Sequence, residues 1–478
     1  VTERPPLLER PPQQERAARA PGRRLRGPHA VAVPAVALAL AAVHATLGLL
    51  AYRNFRVGSW DLLLFDETVR GYAGWGAPVQ PALGVHLDVG PDLIALGDHF
   101  SPILVLLAPL YWVWDDPRML ILAQAGLIAV SICVAWVIAR RVLGPGIAYA
   151  VAVATGLAWP LQEASVVGFH EVVFAVPLIL LACERLQARR PGQAAAWAAS
   201  LMLVKEDMGF VTVMFGVLLA LRGWRKLGVW LAVAGLAGAY LSTSVIVPAF
   251  YGHGSPDGDY YEAFFAALPN PVDTFEVVFS PVQKEQTVLW LLAPFAFLPL
   301  ASPVVLLTLP QLGERAISSN PNHWGLEQHY NAVLLPVLVV AAVEAARRLP
   351  RRWRQAFAAY AVLAAVVLCA KFPFADLADR ETWRLDAHEQ AAAQAVALVP
   401  AGVTVEADNE IGPHLADRGT VLLLDKTPRD APWVVVDVAR SSFPIDSLAV
   451  QRDRVRLLQA SGYELVLDNG SYAVLRRP

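Results

Sequence analysis

Eleven apolar runs, at about residues 30–52, 118–139, 146–160, 171–186, 193–204, 207–221, 227–249, 286–300, 302–312, 329–346 and 354–370, leave this chain few ways to fold. A helix of about 20 apolar residues crosses a bilayer. Charged residues make up only 17% of the 478 positions and hydrophobic ones 56%, whereas about a quarter of a soluble domain is charged. The expected fold is mostly α: a polytopic membrane helical bundle of about eleven spans. Several runs are shorter than a straight span needs, so their flanks are expected to complete them within the interface.

Around the bundle the composition changes twice. Residues 1–29 are rich in Pro and Arg, carry no apolar period and are expected to be a disordered cytoplasmic tail. The run at 30–52 exceeds the short core of a cleavable signal, which predicts a retained first span. Residues 30–372 form the expected transmembrane domain. Residues 373–478 are more polar, with a helical pattern near 384–398 and strand-like runs VTVEA, TVLLL, WVVVDV, YELVLDN and YAVLRR. They predict a small extracytoplasmic α/β domain.

Charge fixes the expected orientation, because Lys and Arg concentrate in cytoplasmic loops. With the N-terminus inside, the inner segments hold twenty Lys and Arg residues and the longer outer loops before residue 371 hold seven. That topology puts a first outer loop at 52–117 and leaves 100–114 as a helix lying along the outer surface. Asp115 and Asp116 end that helix, and Arg140 and Arg141 end the next run.

Most of the candidate chemistry then collects outside. Asp61, Asp66 and Glu67 lie in WDLLLFDETVRG; at five positions apart on a helix, Asp61 and Asp66 are offset by about 140 degrees and need not act as a pair. His99, in GDHFSP, is available as a donor to a phosphate or as a proton carrier. His170 and Glu171, then Lys205, Glu206 and Asp207, sit at the outer mouths of spans, where ionisable groups mark functional sites. His323, Glu327 and His329 in NPNHWGLEQHY do not form a recognised metal spacing. A divalent metal could instead be held by carboxylates from several loops.

Other classes are disfavoured. No P-loop, GxGxxG or GxSxG motif is present, so an energised substrate must come from elsewhere, and a lipid-linked one suits a membrane site. Cys133, Cys183 and Cys369 are isolated in apolar runs and read as packing residues. The net charge of -2 and the lack of basic motifs exclude a nucleic-acid partner.

The order of WDLLLFDE, GDHFSPILVLLAPLYWVW, a span ending in ARR, GFHEVVFAVPLILLACERL, LVKED, EQHYNAVLLPVL and an α/β tail resembles a bacterial membrane-protein family of unknown function. That family is in turn similar to GT-C glycosyltransferases, and the resemblance covers roughly residues 35–478. It implies a plasma-membrane transferase using a polyprenyl-phosphate sugar donor and a cell-envelope glycan, lipid or protein acceptor. The base would be an acid of the first outer loop, Asp61 first and Asp66 second. A single displacement would invert the sugar linkage, with Glu67, His99, His170, Glu171, Lys205, Glu206, Asp207 and His329 as substrate-binding candidates. The alternatives are a transporter or lipid flippase, which predicts inverted repeats and charges at mid-membrane, and a non-catalytic envelope-assembly protein.

Overall fold

The computed structural model describes residues 27–252, 258–445 and 447–478. Residues 1–26, most of the expected cytoplasmic tail, lie outside the described residues.

Three helices among the described residues are long and apolar enough, by length and composition, to cross a membrane. They are α1 (His29–Arg53), α4 (Arg118–Leu143) and α6 (Arg225–Tyr251, which passes through a π-turn at Ser242–Ile246). The 25 residues of α1 extend about 37 Å at the α-helical rise, more than a hydrocarbon core of about 30 Å. Its one mid-span polar ring, His44, is satisfied by Ser165 Oγ and the Gly156 carbonyl, each at 2.8 Å.

Eleven spans are not confirmed: among the described residues only these three helices are clearly long and apolar enough, and the other eight runs form shorter or more polar helices. Proline explains much of the fragmentation. Pro145, Pro191, Pro303, Pro310 and Pro336 all sit in first turns, where the missing N–H costs nothing but a preceding helix cannot continue. Runs also loosen into 3-10 turns, as at Glu171–Phe174 and Ser200–Leu203. Residues 102–111 are such a case, a 3-10 segment (Pro102–Leu107) followed by one α-turn (Ala108–Tyr111).

Close packing compensates for the short elements. Helix α5 (Met208–Leu221) lies against α6 with Gly209 facing Gly235 and Gly216 facing Gly228. A Cβ on Gly216 would sit 2.5 Å from the Gly228 carbonyl oxygen. Small residues that let backbones touch are the usual means of joining helices in lipid.

The expected strands are all present: β1 (Thr404–Ala407), β2 (Thr420–Leu423), β3 (Trp433–Asp437), β4 (Glu464–Asp468) and β5 (Tyr472–Arg476). The sheet order is β2-β1-β3-β5-β4, with β1 parallel to β2 and β3, and β5 antiparallel to β3 and β4. Alternation divides the side chains between two faces. Val405, Val421, Val435 and Val474 pack with the helix Ala387–Leu398 and with Leu63, Leu64, Ala82 and Leu83 from the segment that follows α1. Val434, Val436, Ala473 and Leu475 pack with Leu458, on a helix (Leu448–Ala460) that the sequence reading did not assign.

Candidate functional site

The chain leaves α1 at Arg53, turns through Phe55 at positive φ, and enters a π-turn at Ser59–Leu63 that carries Asp61. The C-terminal sheet pins this turn. Ser59 N donates to the Asn409 carbonyl and to Asn409 Oδ1, and Ser59 Oγ to the same carbonyl, all at 2.8 Å. Helix α2 (Leu64–Ala73) follows directly. Its partner wall is α3 (Pro81–His86), held to the sheet by the His86–Asp425 contact at 2.9 Å and by Arg429, which bonds Asp88, Asp425 and the His86 carbonyl.

A second loop brings His170. Gln124 of α4 donates to the carbonyls of Ala164 and Gly168 and accepts from His170 N at 3.1 Å. Gly168 stands at φ +98, and a Cβ there would meet Val57 Cγ1 at 2.6 Å, so the turn needs glycine twice over. A third segment brings His329, whose ring stacks on His170 with centroids 3.3 Å apart and whose Nδ1 lies 3.9 Å from Asp61 Oδ1. Arg315, on α7 (Leu309–Ile317), braces that segment through Asn331 Oδ1 at 3.1 Å and the Tyr330 carbonyl.

These segments enclose a polar cavity of about 380 Å³. Seven of the expected site residues line it: Asp61, His99, His170, Lys205, Glu206, Asp207 and His329. Glu171 lies just behind, fully buried, 2.6 Å from His170 Nδ1 and 3.5 Å from Lys205 Nζ. The other two expected residues do not line the cavity either. Asp66 is buried between Arg70, at 3.1 Å, and the Tyr111 hydroxyl, which donates to it at 2.7 Å; it fastens α2 to the 102–111 segment. Glu67 accepts from Ala82 N at 3.4 Å and ties α2 to α3. The physical reason is helical phase, which turns these side chains away from the face that Asp61 presents.

The cavity also contains residues not expected from sequence, including Trp60, Gln311, Glu314, Arg315 and Tyr330. Glu314 and Arg315 carried a signal that could have found them, a charge pair just past the run that ends at Leu312. The aromatic and amide groups carried none, because only the folded chain brings them together.

Electrostatics sort the groups by charge. Burial disfavours a charged His99, yet Asp98 and Glu206 outweigh it and push its pKa up to about 10. Glu206, 3.0 Å from His99 Nδ1, is likewise penalised by burial but held down at about 2 by His99 and Lys205. Burial also opposes a charged Lys205, and Glu171, Glu206 and Asp207 more than offset it. Burial keeps His170 and His329 neutral, with the pKa of each shifted downward. Asp61, whose side chain is 28% exposed, is raised to about 7 by burial and by the Glu171 carboxylate.

Asp61, His170 and His329 can each offer a ligand atom within 4.8 Å of the others, so this corner of the cavity has the donors to hold a cation. A second, apolar cavity of about 700 Å³ adjoins the first, with Phe210, Val213, Met214, Phe265 and Leu309 in its walls. The two share Asp98, Glu206, Asp207, Tyr261 and Glu314. Phe210, Phe265 and Leu309 are themselves exposed.

The fold is that of GT-C glycosyltransferases. ArnT from Cupriavidus metallidurans bound to undecaprenyl phosphate matches with a TM-score of 0.52 at 15% identity, over 91% of this chain and 97% of that one. The same enzyme in its apo state gives 0.51 at 14% identity, with the same coverage. An Archaeoglobus fulgidus oligosaccharyltransferase in complex with Zn and sulfate gives 0.43 at 14% identity, over 84% of this chain and 68% of that one. No curated protein matches the sequence. A family model described as "Predicted membrane protein (DUF2079)" matches residues 51–471, and the chain belongs to that family of membrane proteins.

Proposed function

We propose that this protein is an inverting membrane glycosyltransferase that moves a sugar from a polyprenyl-phosphate carrier to a cell-envelope acceptor on the outer face. The observation that carries this reading is the junction of the two cavities. A chamber with an acid and several cations opens through shared walls into an apolar chamber whose outer side is exposed. A lipid-linked sugar has that division: an isoprenoid chain for the apolar chamber, and a phosphate and sugar for the polar one. ArnT, of the same fold, binds undecaprenyl phosphate.

In the reaction the acceptor hydroxyl oxygen bonds to the anomeric carbon as the bond from that carbon to the phosphate oxygen breaks. Asp61 takes the hydroxyl proton, and polyprenyl phosphate leaves with the bonding pair. Lys205, protonated His99 and Arg315 face the growing negative charge. Glu171 and Glu206 keep Lys205 and His99 charged. In this reading the site lies on the extracytoplasmic side, residues 30–372 form the membrane domain, the N-terminus is cytoplasmic, and residues 373–478 are an outer domain that braces the first loop.

The test is purified protein in lipid nanodiscs given radiolabelled polyprenyl-phosphate sugars and envelope extract. Sugar transfer is expected, and Asp61→Asn should slow it by about 100-fold or more, the usual worth of a positioned base. Transfer that survives Asp61→Asn undiminished would remove the mechanism, and transport of an intact lipid or solute without transfer would remove the function.

A further inference from the structure

His329 is a buried side chain whose polar atoms the fold leaves unused among the described residues. It is only 4% exposed, and neither ring nitrogen has a hydrogen-bond partner among the described residues. A buried imidazole normally spends at least one nitrogen on a partner. Its Nδ1 lies 3.9 Å from the Asp61 carboxylate, and its ring packs against Tyr330 and against a second buried imidazole, His170, itself 7% exposed. One atom from each of the three lies within 4.8 Å of the others. The Nδ1 side of His170 is occupied by the Glu171 carboxylate at 2.6 Å, close although not at a hydrogen-bond angle, which leaves Nε2 to face elsewhere. A carboxylate behind a histidine is the usual outer support of a metal-bound imidazole.

We propose that Asp61, His170 and His329 form a binding site for one transition-metal dication of the zinc, cobalt or manganese class, with Glu171 as the residue that positions His170. Two imidazoles and one carboxylate suit such ions and not magnesium, which prefers oxygen ligands and retains its water. Three protein ligands leave coordination positions open, and all three line the 380 Å³ cavity, so an anionic oxygen of a substrate can complete the shell. That the oxygen belongs to a lipid-linked phosphate rests on the transferase reading; the metal site does not. A carboxylate has two oxygens, so ligation through one oxygen of Asp61 leaves the other for the acceptor proton.

The experiment uses the full chain in nanodiscs, stripped with chelator, dialysed against Zn2+, Co2+, Mn2+ or Mg2+, and read by elemental analysis and by the visible spectrum of the Co2+ form. About one equivalent of zinc or cobalt is expected, with a Co2+ absorption typical of nitrogen and oxygen ligands. His329→Ala should abolish it, and Glu171→Gln should weaken affinity by about 10- to 100-fold. His329→Gln serves as a second variant if the alanine form fails to fold, judged by a monodisperse elution profile. Stoichiometric metal lost with His329 supports the site whether or not sugar is transferred. Protein that takes up none of the three transition metals, or that keeps its metal in folded His329 variants, overturns it.

Discussion

Asp61 and Asp66 stand five positions apart and meet different surroundings, one at a cavity wall and the other locked between Arg70 and Tyr111. Asp66→Asn should therefore lower thermal stability, because half-buried Arg70 keeps only Asp115 of its two carboxylate partners and the Tyr111 hydroxyl loses a charged acceptor, while leaving a transfer rate within a few-fold of wild type wherever the protein stays folded. Melting curves and initial rates on the same preparation separate the two effects. The 140-degree offset read from the spacing left these acids free to act separately; that Asp61 was the one at the cavity was not legible from the spacing, since it depends on a π-turn anchored by Asn409. His99 makes a second prediction. Its folded pKa, near 10, lies above its value of 6.5 in an unfolded chain, so its pairing with Glu206 contributes fully below pH 6.5 and is lost as pH rises through 10. Glu206, held at about 2, limits the pair only in strong acid. Between pH 7 and 10 the melting temperature of wild type should fall more steeply than that of His99→Gln.

At the scale of elements, the α5–α6 hairpin is held by backbone contact, and a side chain at the crossing has nowhere to go. Gly216→Val places carbon 2.5 Å from the Gly228 carbonyl oxygen and should cost about 1–3 kcal/mol, the usual price of overpacking. Gly126→Ala on α4, where an added Cβ meets nothing within 4 Å, should be neutral in the same thermal assay. The strands of the sheet were readable because short β-branched runs between turns have few other uses, and the three long helices because their apolar stretches are uninterrupted. Several of the eight runs that did not become long apolar helices are as apolar as those that did. What differs is proline placement and the 3-10 turns that bring His170 and Lys205 to the cavity, which a count of apolar residues does not register.

For the whole molecule, the C-terminal sheet and the long apolar helices meet through the segment that follows α1, and the cavity depends on that meeting. Arg429→Ala removes bonds to Asp88, Asp425 and the His86 carbonyl together. It should loosen α3, whose residue Leu83 lines the cavity, and limited proteolysis should then cut between residues 373 and 386 sooner than in wild type, with transfer reduced in parallel. Equal cleavage rates would mean that the apolar contacts of Leu63, Leu64, Ala82 and Leu83 with the sheet suffice.

The bond between Ser59 and Asn409 joins residues 350 positions apart in the chain. A ribosome adding roughly 5–20 residues per second makes the acid-bearing turn tens of seconds before the residue that fastens it. Until then Asp61 has no fixed place, and a growing chain already inserted in the bilayer has no finished chamber in which to spend a lipid-linked sugar. Under the transferase reading, activity waits for Asn409 and the sheet beside it, so a chain cut short of them is expected to be inert.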